Sequence, residues 1–257
     1  MTTATLPTPA RGMPRWLRMA GWQAMGHASV FAGFLAIAVA VVVVVLFFVG
    51  RATTPTMSGF QFAQQVAPWI PFAVAIHYAT SWLGPHVAAG MTRRSFVRAA
   101  ITAVLVLAVW GAVALWLLLR IERWLYGRLG WTAGADGSRV SAAETAALPY
   151  LWGLVLLLAV AGLTGLVVGL TYFRLGSVAT FALPLTMIPM AALVLVLDPL
   201  TMFTLAVFTR DGRALTPPAL GLGGVPASVV LGLVLLALTT GAVHLLSRRV
   251  PIRSARA

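Results

Sequence analysis

The stretch that decides the fold is "ASVFAGFLAIAVAVVVVVLFFVG", residues 28–50, which contains no charged side chain. A helix of about 20 such residues crosses the ~30 Å hydrocarbon layer of a bilayer, and it satisfies its backbone polar groups internally. The stretch lacks the alternation of apolar and polar residues that is typical of a barrel strand. It therefore predicts a transmembrane helix.

Five further apolar runs of helical length follow along the chain. They cover residues 67–89, 99–119, 147–171, 177–198 and 226–246. The whole chain is 60% hydrophobic and only 9% charged, whereas a soluble domain carries about a quarter charged residues. We therefore expect an all-α polytopic membrane protein, with six transmembrane helices in a single domain over residues 13–257. Residues 1–12 are small, polar and proline-containing, which predicts a disordered tail.

The distribution of arginine predicts the orientation in the membrane, since all 18 basic residues are arginines and cytoplasmic loops are enriched in them. With the N-terminus in the cytoplasm, the inner side holds eleven arginines and no acid, and the outer side holds seven arginines and all five acids. The chain is thus expected to be a multi-pass protein of the cell membrane with both termini inside. Because the arginines flank apolar runs and form no single basic face, the net charge of +13 is assigned to topology and anionic lipid, not to nucleic acid.

Two absences limit the chemistry of the chain. Without cysteine it has no disulfide, thiolate nucleophile or cysteine metal site. Without lysine these residues contain no P-loop, which needs the lysine of G-x-x-x-x-G-K-[ST]. The histidines and acids show no metal-ligand spacing, so we expect no cofactor in this chain and no catalytic activity of its own.

The segment before the first run, "MPRWLRMAGWQAM" at residues 13–25, is amphipathic when drawn as a helix. Arg15 and Arg18 fall within a narrow arc, and Trp16 lies on the opposite side. This pattern predicts a helix in the inner headgroup layer. The alternative, a basic flank that only sets the orientation, stays open.

A second basic segment, "AAGMTRRSFVRAA" at residues 88–100, places three arginines and no acid between two apolar runs. The connection is so short that two helices would hold it at the inner surface. A partner that pushes on such a loop passes the force directly into both helices, whereas a long linker would absorb it. The segment is therefore a candidate coupling element.

Three motifs carry a resemblance to a known family. Residues 90–96, "GMTRRSF", resemble the G-x-[ST]-R-R-x-[FY] loop after the second span in permease subunits of ABC-2-type transporters. Glu122 and the later "YGRLGW" are similar to the outer "E…GGWG" stretch of that family, although the full glycine-glycine-tryptophan-glycine run is missing. Residues 171–176, "TYFRLG", resemble its R-x-G turn, which Arg174 and Gly176 match.

The resemblance implies an exporter permease that pairs with a second copy or a related permease. Each permease would dock on a separately encoded ABC ATPase, which binds ATP and Mg²⁺. Carried over by position, the residues that couple to the ATPase are Gly90, Thr92, Arg93, Arg94, Phe96 and Arg98. The amphipathic helix, with Arg15, Trp16 and Arg18, would brace the same contact.

Residues at membrane depth supply the candidate pathway. An ionisable group there is costly unless it is paired or hydrated, which makes His77 and its neighbour Tyr78 candidates. A histidine that is hydrogen-bonded to a neighbouring helix is the alternative. Met187 and Met190 would join them in an apolar cavity that suits an amphipathic or hydrophobic drug, peptide or lipid. Gly165 and Gly169 form a G-x-x-x-G pair, which favours either a close helix–helix approach or glycines that are merely tolerated in a lipid-facing helix.

Two other functions stay open from the sequence. One is a proton-coupled secondary transporter that uses His77 as a relay, although neither intramembrane carboxylates nor an internal repeat support it. The other is a non-transporting membrane subunit that anchors or senses, or a membrane enzyme.

Overall fold

The computed structural model describes residues 13–53, 58–131, 147–201, 207–208, 214–215 and 225–248. Helices make up nearly all of this part: α1 (Arg15–Ala52), α2 (Phe60–Val66), α3 (Trp69–Ala88), α4 (Arg93–Leu129), α5 (Ala147–Leu175), α6 (Ala179–Thr201) and α7 (Val225–Arg248). A 3-10 turn, Gly176–Val178, joins α5 to α6, and β1 (Val207–Phe208) pairs antiparallel with β2 (Ala214–Leu215). Apart from that two-residue pairing, the predicted all-α class is confirmed for the described residues. The predicted disordered tail, residues 1–12, lies outside them.

Four stretches of the described chain are long and apolar enough to cross a membrane. They are Arg15–Ala52, Arg93–Leu129, Tyr150–Ala192 and Val229–Arg248. The third runs through the 3-10 turn and so includes most of α5 and part of α6. Helix α3 has 20 residues but contains histidine, threonine and serine, and it is not among the four. The chain is therefore a largely helical, membrane-embedded protein, and the count of six spans stays a prediction.

Helix α1 is longer than a bilayer requires. Its 38 residues rise about 57 Å at 1.5 Å per residue, against a hydrocarbon thickness of about 30 Å. The structure thus joins the predicted amphipathic helix to the first apolar run in one continuous helix. No proline interrupts α1 after Pro14, and the glycines within it cost stability without breaking it. Arg15 and Arg18 are exposed on this helix, as the amphipathic pattern predicts.

Helix α5 is the centre of the bundle, where it packs against α3, α4, α6 and α7. Glycine makes its contact with α3 possible. A Cβ added at Gly165 would lie 2.2 Å from the carbonyl oxygen of Phe72, and one added at Gly169 would lie 2.7 Å from the Cβ of Ala79. Of the two alternatives for the G-x-x-x-G pair, the close approach is therefore confirmed, and α5 and α3 are the two helices that it brings together.

Candidate functional site

The turn between α3 and α4 is tighter than the sequence predicts, since only residues 89–92 separate the two helices. Gly90 has a φ of +78°, a left-handed conformation that favours glycine, and the amide of Met91 donates to the carbonyl of His86 at 3.2 Å. Thr92 caps α4, because its Oγ1 accepts from the amide of Ser95 at 3.1 Å. The turn is therefore rigid, because Gly90 allows its left-handed conformation and Thr92 caps the helix that follows.

The arginines of the candidate coupling segment belong to the first two turns of α4, not to a loop. Arg94 and Arg98 are exposed and Arg93 is half-buried. The first turn of α4 contains no acid, so its positive side chains meet the positive end of the helix dipole. Such an arrangement favours an acidic or anionic partner outside the helix.

Phe96 corrects one of the predicted coupling contacts. Its side chain is only 1% exposed, so it is not available to a docked ATPase. It packs between the rings of Tyr78, at a centroid distance of 6.1 Å, and His86, at 5.4 Å, both on α3. At 100° per residue Phe96 lies about 160° from both Arg94 and Arg98, on the face that meets the core. Phe96 therefore fixes the first turn of α4 to α3.

A buried polar cluster lies beyond Phe96, between α1 and α3. Gln23 is 1% exposed and His27 is 4% exposed, and the ring of His27 meets the ring of Tyr78 edge-on at 5.0 Å. The Tyr78 hydroxyl lies near the Gln23 side chain. Neither the Gln23 amide nor the His27 ring has a hydrogen-bond partner among the described residues. Buried polar groups are nearly always paired, so this cluster calls for a functional explanation.

Gln23 and His27 were not among the residues that the sequence patterns predicted to be functional. Both precede the first apolar run; Gln23 lies in the segment interpreted as a headgroup-layer helix, and His27 lies between that segment and the run. A signal was nevertheless present, because Ala20, Gln23, His27 and Phe31 follow the spacing of one helix face and all are buried. The interfacial interpretation concealed that pattern.

The predicted pathway residues do not form one site. His77 is exposed on α3, where its Nδ1 lies 3.3 Å from the Ser81 hydroxyl, whereas Tyr78 points to α1. Met190 is buried and Met187 half-buried on α6. Because α6 packs on α5 and α7 whereas α3 packs on α5, α4 and α1, the two sets of residues belong to different contacts of the bundle.

The other predicted inner positions lie at or near helix ends. Arg15 is exposed and Trp16 half-buried at the start of α1, and Arg18 is exposed one turn later. Arg174 is half-buried near the end of α5. Gly176 follows with a φ of +63°, so the R-x-G turn requires glycine to end α5 in the left-handed conformation.

A second polar cluster lies at the opposite end of α4. Glu122 is only 4% exposed, and its Oε1 accepts from the amide of Gly59 at 2.7 Å and from that of Phe60 at 3.4 Å. The hydroxyl of Ser58 donates to its Oε2, and Tyr126 also hydrogen-bonds to it. Glu122 thus holds the start of the short helix α2 against α4. The sequence resemblance pointed to Glu122 but not to these partners.

A further polar contact fixes the other part of α2. The side-chain amide of Gln64 donates to the hydroxyl of Tyr150 at the start of α5, and both residues are buried. Helix α2 is therefore held from two sides, by α4 and by α5.

No group of three or more histidine, cysteine, aspartate or glutamate side chains that could hold a metal ion occurs in the described part of the chain. The described residues form three candidate regions. These are the rigid basic turn between α3 and α4, the buried cluster of Gln23, His27 and Tyr78 next to it, and the Glu122 cluster at the other end of the bundle. A scan against protein-family models finds no match for this chain, and comparisons with curated proteins and with solved structures find no significant similarity either.

Proposed function

We propose that this chain is the permease subunit of an ABC-2-type exporter. It crosses the cell membrane six times with both termini inside, works as a dimer with a second copy or a related permease, and is driven by a separate ABC ATPase that binds ATP and Mg²⁺. The substrate class that fits an apolar helix bundle best is an amphipathic or hydrophobic molecule, such as a drug, peptide or lipid.

The observation that carries the proposal is the construction of the α3–α4 turn. Its exposed surface is basic, with Arg94 and Arg98 turned outward, while Phe96 on the opposite face is buried against α3. A push on the arginines therefore moves two helices together instead of bending a loop. The ring of Phe96 contacts that of Tyr78, and the ring of Tyr78 contacts that of His27 on α1, so the same push reaches α1.

The face of α3 that points away from the bundle carries polar residues, and this supports the dimer. His77, Thr80 and Ser81 lie on that face and are exposed, although most of the bundle is apolar. Polar groups on a lipid-facing surface are costly, so this face fits a second permease or a water-filled pathway better than acyl chains. In the dimer, His77 of each copy would line the pathway between the two bundles.

The first experiment tests the ATPase contact. The chain is co-expressed with an ABC ATPase encoded beside it and purified in mild detergent. We expect the ATPase to co-purify, and we expect Arg93→Glu with Arg94→Glu to lower both its recovery and the transport-coupled ATP turnover. Arg248→Glu is the matched control, because Arg248 is an exposed arginine assigned to the same side. Equal recovery and turnover in all three proteins would contradict the proposal.

The second experiment tests the orientation, and the absence of native cysteine makes it direct. Ala89→Cys places an exposed thiol in the α3–α4 turn, and Thr53→Cys places one at the end of α1. A membrane-impermeant maleimide on intact cells should label the second variant and not the first. Labelling of Ala89→Cys from outside would reject the inner position of the turn.

The third experiment separates the alternatives. We expect export to stop when the ATPase is inactivated while the proton gradient persists. Export that survives would favour a proton-coupled transporter, and no export with any substrate class under either condition would favour an anchor or sensor subunit.

A further inference from the structure

The outer end of α4 carries a basic groove that the proposed function does not use. The groove is open, has a volume of about 450 Å³ and is lined by Arg120, Arg123, Trp124, Gly127 and Arg128. At 100° per residue these five positions fall within an arc of about 140° on one face of the helix. Three guanidinium groups thus share one side of α4 within three turns.

The acid nearest in sequence does not neutralise this face. Glu122 lies on the opposite side of α4, where Ser58 and the amide of Gly59 already occupy its two oxygens. Arg123 is half-buried and also interacts within the chain, whereas Arg120 and Arg128 are exposed. The charge available to a ligand therefore comes mainly from Arg120 and Arg128.

Aromatic side chains hold these two guanidinium groups in place. The Cζ of Arg128 lies 5.3 Å from the ring centroid of Trp124, and that of Arg120 lies 5.5 Å from the ring centroid of Trp116. Such cation–π contacts orient a guanidinium while leaving its N–H groups for a ligand. Between them the space above Gly127 is open, since a Cβ added there would meet no atom within 4 Å.

The groove begins at the edge of the hydrocarbon, crosses the headgroup layer and extends a few Å beyond it. The apolar run of α4 ends at residue 119, so Arg120 lies at the edge of the hydrocarbon, and Arg128 lies about 12 Å farther along the helix. The headgroup region extends roughly 5–8 Å beyond the hydrocarbon on each side. Ile121 and Leu125 are exposed beside the groove, which gives the glycerol and upper acyl carbons an apolar surface.

We propose that this groove binds anionic phospholipid headgroups, with Arg120 and Arg128 each as a phosphate ligand and Trp124 against the glycerol region. A guanidinium group binds a phosphate in a bidentate way, and the rise of about 12 Å between the two arginines gives each of them a separate phosphate. The proposal depends on the membrane-embedded fold and does not require the exporter function.

The test measures lipid retention by the purified protein. Native mass spectrometry is performed after titration with phosphatidylglycerol or phosphatidylcholine. We expect phosphatidylglycerol to be retained preferentially, and we expect Arg120→Gln with Arg128→Gln to weaken its apparent affinity by about 25-fold, or about five-fold for each arginine near a membrane surface. Gly127→Leu should weaken it as well, since it fills the groove and leaves the charge unchanged.

Arg51→Gln is the matched control, because Arg51 is an exposed arginine at the end of α1, outside the groove, with a ring contact of the same kind to Phe47. Unchanged thermal unfolding of each variant shows that its fold is intact. Equal retention of the two lipids would overturn the proposal, and so would an equal loss in Arg51→Gln and the double variant. Binding of inorganic phosphate alone, with the same dependence on Arg120 and Arg128, would also overturn it in favour of a soluble anion.

Discussion

The ring of Phe96 lies nearly parallel to the ring of Tyr78, with an interplanar angle of 24° and a centroid distance of 6.1 Å. Tyr78 is ten residues before the end of α3, so this contact joins the first turn of α4 to a point about 15 Å along its neighbour. The turn between the two helices is therefore backed by packed rings, and the proposed transmission of force depends on that packing.

Phe96→Ala is expected to destabilise the fold by about 3 kcal/mol, because it opens a cavity between α3 and α4. Thermal unfolding in detergent measures the loss. Arg94→Ala should change stability by no more than about 0.5 kcal/mol, since its side chain is exposed.

Variants at Arg94 and Phe96 also distinguish a residue that contacts the proposed ATPase from one that only positions the turn. Arg94→Ala should weaken ATPase binding at full stability, whereas Phe96→Leu should restore most of the stability lost in Phe96→Ala and bind the ATPase normally. A stable Phe96→Ala protein that fails to bind the ATPase would show that Phe96 itself forms part of the docking surface.

The contact between α5 and α3 predicts a sharp difference between glycines. Gly165→Ala forces a Cβ against the backbone of Phe72, which no rotamer change relieves, so we expect a loss of about 1–3 kcal/mol. Gly84→Ala on α3 is the control, because a Cβ there meets nothing within 4 Å. It should leave stability unchanged or raise it by up to about 1 kcal/mol. Equal unfolding temperatures for the two variants would disprove the close approach.

Several features of the fold follow directly from the sequence. Long apolar runs require helices in a membrane, and the G-x-x-x-G pair is useful only where two backbones meet. The residues Gly90 and Thr92 end one helix and cap the next through local geometry alone. These interactions join neighbours along the chain or along one helix, so sequence patterns reveal them.

Contacts between distant segments could not be predicted in this way. The partners of Glu122 are Ser58 and Gly59, more than 60 residues earlier, and their approach depends on how α2 packs against α4. The burial of Phe96 and His27 depends on the packing of α1 and α4 around α3. Glu122, Phe96 and His27 are all residue types that can also lie exposed at a membrane interface. Their burial is therefore determined by the tertiary arrangement and not by the residue type.

The hydrogen bonds of Glu122 predict that the start of α2 loosens from α4 when a substitution removes the carboxyl group. Glu122→Leu leaves the amides of Gly59 and Phe60 without their acceptor, at a cost of about 1–3 kcal/mol. Glu122→Gln should cost less, since its amide oxygen keeps one acceptor. Hydrogen exchange of the amides at 59 and 60 should become faster in both variants.

Gln65→Ala is the control for this experiment, because it changes a half-buried side chain on the same short helix and leaves Glu122 intact. Its exchange at residues 59 and 60 should equal that of the unmodified protein. Unchanged exchange in Glu122→Leu would show that packing alone holds α2.

The last prediction concerns Gln23 and His27, whose polar atoms are buried without partners in the described structure. Replacing buried polar groups that have no partner by apolar ones is neutral or stabilising. Gln23→Leu with His27→Leu should therefore keep or raise the unfolding temperature. If α1 and α3 separate during transport, water or substrate satisfies these groups in the other state, and the double variant should then lose export while keeping its stability.

Thr164→Val provides the matched comparison. Thr164 is also buried without a partner for its hydroxyl, but it lies on the central helix α5 and valine has nearly its shape. We expect this variant to be at least as stable as the original and to export normally. If the double variant exports as well as Thr164→Val, then α1 and α3 stay together throughout the cycle. If it is instead strongly destabilised, the two polar side chains are satisfied in the resting state, and a change of partners during transport does not explain their burial.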